Sequence, residues 1–275
     1  MRRSSRAGDA LAFSILLLGS ATMVFPFVWM ALSSFKTPAD VYKYPPKWIP
    51  SSLETANYAA VFAKIPFLRF YLNSILTSAA QTALIVGISV CGAFAFAKLE
   101  FPGRRALRSF MGSSLFVPEV VTMIPLFLLA SAAGLIDSYP GIVLPQLSCA
   151  FTTLLLMSFF ESVPNDLIDA AKIDGYGYYR IMARIVAPNA KTAISTAALF
   201  SFLGAWRSYL WPLIATNSVK LRTLPIGLKY LVQETSSEYQ VMMAASVMAI
   251  IPVLAVYAAA ERQFVQSITL TGLKS

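Results

Sequence analysis

The sequence predicts an all-α integral membrane protein with six transmembrane helices in a single domain over residues 1–275. Three observations carry that expectation. The chain is 57% hydrophobic and only 13% charged, where a soluble domain carries about 25% charged residues. Its mean hydropathy is +0.66. Its apolar stretches run for about 20 residues with at most one charge, the length a helix needs to cross a hydrocarbon core of about 30 Å.

The spans are expected at about 10–33, 71–97, 109–132, 142–160, 192–215 and 239–260. Arg2, Arg3 and Arg6 precede the first, as in a signal peptide. Yet the apolar run continues through Met23-Val24-Phe25-Pro26-Phe27, too long for a cleaved h-region, so the span is read as retained. The segment from Lys36 to Arg69 holds Pro38, Pro45, Pro46, Pro50 and Pro66, which argue against one long helix. Its Tyr42, Tyr44, Trp48 and Tyr58 suit a membrane interface. Pro118, Pro125, Pro145 and Pro212 are expected to kink the spans that contain them.

Net charge is +9. The basic residues are dispersed, which argues against a nucleic-acid surface. With the N-terminus inside, inner segments hold more Lys and Arg than outer ones, so both termini are expected in the cytoplasm. There is no histidine, which removes Ser/His and Cys/His catalysis and the usual zinc sites. Cys91 and Cys149 lie in apolar runs and read as small buried hydrophobes. An enzyme is disfavoured, and no metal or cofactor site is expected in this chain.

The stretch from Val163 to Pro188 is a polar island between the fourth and fifth spans. Pro164 suits a first helical turn, Asp166 and Asp169 suit the positive end of the helix dipole, and Gly175 is a C-terminal stop. A second helix is expected from Tyr178 to Ala187. Tyr178, Ile181, Met182 and Ile185 would form its apolar stripe.

This stretch resembles the "EAA" loop of ATP-binding-cassette importer permeases. The match is Asp169-Ala170-Ala171-x-x-Asp174-Gly175, closed by Ile185-x-x-Pro188. Asp169 stands where that family usually has Glu, Tyr176 where it has a small residue, and Met182 where Phe is common. The rest of the chain is similar to the second permease of carbohydrate-uptake importers of the maltose-transporter type. Ser34-Phe35-Lys36-Thr37, Pro45-Pro46-x-Trp48-Ile49-Pro50, Asn57-Tyr58, Asn73-Ser74, Leu99-Glu100-Phe101-Pro102-Gly103-Arg104, Met123-Ile124-Pro125-Leu126, Gly134-Leu135 and the tail from Phe264 to Lys274 carry that likeness.

The resemblance implies an inner-membrane permease subunit for a sugar or sugar derivative, or for a glycerophosphodiester or other polar solute. A cytosolic ATPase dimer would bind the ATP and Mg. A second permease, an extracytoplasmic solute-binding protein and the lipid bilayer would be the other partners. Asp169, Ala170, Ala171, Asp174, Gly175 and Pro188 would form the ATPase-docking loop, on the cytoplasmic side. Ala170-Ala171 would permit close approach, and the aspartates would meet basic groups. A stand-alone secondary transporter is the reading of a different class.

Glu119 and Arg207 are ionisable residues within expected spans. Such residues usually face a cavity or a partner. Either they line a substrate path or pair with each other, or Glu119 is a buried structural acid and Arg207 snorkels outward. Arg207 follows Trp206 where the family more often has Trp-Asn-Asp/Glu. It would favour an anionic substrate, or pair with an acid on the second permease. Asn73, Gln81 and Gln146 are candidates for sugar hydroxyls and Trp206 for stacking on a sugar ring. Interhelical hydrogen bonds and packing are the plainer reading for each.

Overall fold

The computed structural model describes residues 6–234 and 238–271, all of it helix, turn or loop. Arg2, Arg3, Gly272 and Lys274, which entered the charge and tail arguments, lie outside the described residues. Among the described residues, three helices are long and apolar enough to cross a membrane: Ala10–Ser33, Phe67–Lys98 and Tyr239–Glu261. Two helix pairs raise the number to five if each is one bent span: Arg104–Ser114 with Glu119–Ala132, and Tyr139–Gln146 with Ala150–Glu161.

The expected third, fourth and fifth spans are therefore not continuous helices. The third bends by 105° just before Glu119 and the fourth by 53°. Pro118 sits at the first break with ψ 133, the extended conformation that caps the next helix. Pro125 lies inside Glu119–Ala132. Pro145 lies in the 3-10 turn Leu144–Gln146 that precedes the second break. The fifth is a helix Lys191–Trp206 followed, after a gap of three residues, by Leu210–Ala215. Pro212 is in the first turn of the latter, where its missing N–H costs nothing. The break falls ahead of it.

Breaks free backbone carbonyls, which must find donors away from water. The unbroken helix Phe67–Lys98 supplies them. Gln81 Nε2 donates to the carbonyl of Gln146 at 3.0 Å, and Ser89 Oγ to that of Cys149 at 3.4 Å.

The chain groups into two compact units, residues 1–68 with 227–251, and 69–226 with 252–275. The first unit contains Ala10–Ser33, none of whose apolar window is buried within the chain. Leu16, Met23 and Phe13 are among its exposed side chains, as suits a helix solvated by lipid. After it, the segment whose prolines argue against one long helix forms two short ones, Pro38–Val41 and Ala56–Lys64. Asn57 Nδ2 donates to the carbonyls of Ser34 (2.9 Å) and Lys36 (3.0 Å). Ser34 and Tyr58 share a hydroxyl hydrogen bond of 2.8 Å. Asp40 accepts the N–H and hydroxyl of Ser51, each at 2.7 Å, and these bonds hold its carboxyl below the usual range. Lys36 is almost wholly buried with its ammonium 3.7 Å from the centre of the Trp29 ring. Burial lowers its pKa. Trp48 packs on Phe25 and Trp29 at 5.6 and 5.3 Å. Of the residues that carry the likeness in this loop, Ser34, Lys36, Trp48, Asn57 and Tyr58 thus help to hold it closed.

Two apolar clusters are seen among the described residues of the second unit. One joins Ala93, Phe94, Leu156, Phe160, Ile168, Ala171, Ile181, Val186, Ala193 and Ala197. Small residues let these helices approach closely. A Cβ added at Gly92 would lie 3.2 Å from the Thr153 methyl. The other cluster centres on Ala130, Trp211 and Ala215. Trp211 Nε1 donates to the carbonyl of Gly141 at 3.0 Å. Gly141 is irreplaceable on steric grounds, because a Cβ there would fall 1.8 Å from the carbonyl oxygen of Leu135.

Beside that cluster, the turn after Glu119–Ala132 acts as a clasp. Gly134 has φ +66 and Asp137 φ +59, and Asp is one of the few residues with a side chain that tolerates the left-handed region. The Asp137 carboxylate accepts the N–H groups of Asn217 and Ser218, both at 2.9 Å, and the Ser218 hydroxyl at 3.0 Å. The Ser218 N–H above all pulls the Asp137 carboxyl below its ordinary range. A lowered native pKa means that the clasp is intact above the ordinary carboxyl pKa and is lost as pH falls through the native one. Amide-exchange protection at Asn217 and Ser218, corrected for intrinsic rates, is expected to fall on acidification below about pH 4. In Asp137→Asn that acid loss should vanish. Unchanged protection of the native chain in strong acid would remove the clasp.

Candidate functional site

The loop between Glu161 and Lys191 begins with Pro164 in extended conformation (ψ 135) as the cap of helix Asn165–Ile173. The proline is thus one residue ahead of the first turn, where the sequence reading put it. The helix ends in a Schellman motif. Tyr176 N–H donates to Ala171 at 2.9 Å and Gly175 N–H to Lys172 at 3.0 Å, with Gly175 at φ +79. Tyr176 is the residue after the left-handed glycine and packs on the cluster that contains Ala171. Its outer face carries the Arg180 guanidinium, 4.2 Å from the ring centre. Bulk at Tyr176 therefore fits the helix stop.

Ala170 and Ala171 do not share a surface. Ala171 is buried with Ile168 against the cluster, and Ala170 is exposed. Asp169 is exposed and pairs with Lys172 at 2.9 Å. That bond raises the Lys172 pKa. Asp174 caps the helix C-terminus and is exposed.

The second helix of the loop is not the regular one expected. Tyr178–Ile181 is α-helical, Met182–Val186 forms a π-helical turn, and Ala187–Asn189 returns to α. Pro188 accounts for the change: its ring would clash with the carbonyl four residues back, and the wider turn relieves this. Asn189 Nδ2 donates to the Ile185 carbonyl at 2.7 Å. The extra residue per turn aligns Ile181 with Val186, and both are buried. Tyr178, expected on the buried stripe, is 56% exposed. Met182 and Ile185 are half-buried. Ile173 and Tyr179 project fully, at 87% and 84% exposed. The loop thus has one face in the core and an outer face of Asp169, Ala170, Ile173 and Tyr179. Its base is tied by Lys98, whose ammonium donates to the Val163 carbonyl (2.6 Å) and Asn165 Oδ1 (2.9 Å).

A cavity of about 850 Å³ lies in the same unit, where the three helix breaks meet. Gln81, Glu119, Gln146 and Arg207 line it. Glu119 is exposed in the first turn of its helix, so it is not a buried structural acid. Arg207 caps the end of Lys191–Trp206 within the break and not inside a helix, and it too is exposed. No ion pair joins the two among the described residues.

Asn73 and Trp206 do not line the cavity. Asn73 is buried. It donates to the carbonyls of Lys220 and Arg222, both at 2.9 Å, and accepts the Tyr139 hydroxyl at 2.8 Å. Trp206 is enclosed by Phe202 at an interplanar angle of 19° and Tyr71 at 86°. Cys149 is half-buried and Cys91 is exposed, a correction to the reading of both as buried.

Residues 83–269 match the family described as the binding-protein-dependent transport system inner membrane component. The chain is 34% identical to the sulfoquinovosyl glycerol transport system permease protein SmoH of Agrobacterium fabrum, over 96% of this chain and 92% of that one. It is 30% identical to the diacetylchitobiose uptake system permease protein NgcG of Streptomyces coelicolor, over 97% and 89%. Among solved structures it is similar, at TM-score 0.83 and 25% identity, to a chain of a bacterial ABC transporter involved in import of the acidic polysaccharide alginate. That match covers 95% of this chain and 99% of the other.

Proposed function

The chain belongs to the family of binding-protein-dependent transport system inner membrane components, and from that premise we propose that it is one permease of an ATP-binding-cassette importer for a saccharide or saccharide derivative. The observation that carries the coupling role is the loop of residues 164–190. It is anchored by Ile168, Ala171, Ile181 and Val186 and presents Asp169, Ala170, Ile173 and Tyr179 outward. An element rigid on one side and exposed on the other is what a cytosolic ATPase needs to move a membrane domain as a body. In this reading the chain crosses the membrane six times. The bent helices count as spans, Lys191–Trp206 lies in the fifth, and both termini and the loop are cytoplasmic. ATP and Mg bind the ATPase dimer, a second permease completes the path, and an extracytoplasmic binding protein delivers solute. The saccharide class follows from the solutes named for SmoH, NgcG and the alginate importer. A glycerophosphodiester remains the second choice of cargo.

The test is co-expression with the partner subunits. The ATPase should co-purify with the native chain, uptake should require ATP, and Asp169→Lys should release the ATPase while the chain stays in the membrane. Uptake by the purified chain alone, indifferent to ATP, would make it a secondary transporter instead.

A further inference from the structure

We propose that the cavity selects saccharides bearing a single acidic group, with Arg207 as the anion-binding residue and Glu119 as the acceptor for hydroxyls. This rests on the importer reading and names its cargo more closely. Of the residues lining the cavity, Glu119 and Arg207 are the two that carry charge. Both are exposed, and neither side chain takes part in an ion pair or hydrogen bond among the described residues. The Arg207 guanidinium therefore has its donors free to face a ligand in the cavity. An acidic ligand engages such a planar fork through two parallel charge-assisted bonds.

Other polar groups in the cavity are also unspent. Gln81 uses its amide N–H on the Gln146 carbonyl, which leaves its own amide oxygen. Ser201 Oγ is enclosed without a partner, although a helical serine ordinarily bonds the carbonyl of the preceding turn. The Phe151 and Phe200 rings, 6.5 Å apart, give the cavity an apolar wall. Acceptors, a hydroxyl and an aromatic wall suit a sugar. One cation opposed by one carboxylate suits a monoanion better than a phosphate monoester, whose second charge Glu119 would repel. At about 850 Å³ the space is of ligand size.

The experiment is equilibrium dialysis of radiolabelled glucuronate and glucose against the purified permease–ATPase complex, without its binding protein. The native complex should bind glucuronate on the order of tenfold or more tightly than glucose. Arg207→Gln should abolish the difference, and Arg207→Lys should keep part of it, since charge remains without the fork. Glu119→Gln should weaken glucose binding and leave the preference for glucuronate. Equal binding of the two sugars, binding of neither, or a preference that survives Arg207→Gln would overturn the assignment. So would loss of the second permease from the Arg207→Gln complex, which would place the arginine at the subunit interface. Failure of the ATPase to assemble with the native chain would count against the importer reading itself.

Discussion

Gly175→Pro is expected to abolish ATP-dependent uptake while the chain remains in the membrane. Gly175 sits at φ +79, and proline is fixed near φ −65°. The substitution also deletes the N–H that closes on Lys172 and displaces the Tyr176 N–H from Ala171. Each lost hydrogen bond is worth about 1 kcal/mol, and forcing a left-handed position on a residue with a side chain costs about 1–2 kcal/mol. The helix Asn165–Ile173 would lose its stop, and Tyr176 its seat on the cluster. Gly175→Ala keeps the N–H and meets no atom within 4 Å, so it should retain partial uptake. Uptake by Gly175→Pro at the native rate, measured at equal membrane abundance, would remove the loop from the transport cycle.

Ile181→Ala should separate ATP hydrolysis from solute movement. Ile181 is 1% exposed and lies in the cluster shared by the loop and the helices Phe67–Lys98, Ala150–Glu161 and Lys191–Trp206. Truncation to alanine costs about 2–5 kcal/mol in such a site, and Ile181→Val about 0.5–1.5 kcal/mol. The outer face of the loop is untouched, so the ATPase should still bind. The seat behind it becomes compliant, and solute moved per ATP should fall. An unchanged ratio in reconstituted vesicles would show that the force takes another route.

The sequence made some of this legible for physical reasons that are local. Asp174-Gly175 marks a helix stop because only glycine is at ease at that φ, and Pro118 marks a break because it cannot continue a helix. Periodicity failed where the period itself changes. A stripe drawn at 3.6 residues includes Tyr178 and misses Val186, whereas the π-helical turn buries Val186 and frees Tyr178. The signal was Pro188, which makes a regular turn before it unfavourable. The break at Arg207 was hidden in an apolar run, but Pro212 pointed to it. A proline tolerated in a first turn requires a helix to start just upstream. Asn73 could not be placed from sequence, because its partners lie 147 and 149 residues away. Gln81 and Gln146 are candidates for sugar hydroxyls or for interhelical hydrogen bonds; Gln81 makes such a bond to the Gln146 backbone, and both also line the cavity.

The loop after the first span has a consequence for how the chain is made. Asn57 closes on the carbonyls of Ser34 and Lys36, Tyr58 on Ser34, Ser51 on Asp40, and Trp48 on Trp29. Every one of these contacts joins residues within a single stretch of about thirty, so little loop entropy opposes them. They are able to form as soon as that stretch clears the insertion machinery, before the later helices exist. The first span would then acquire its folded cap early, fixing its orientation while the rest of the protein is still being synthesised.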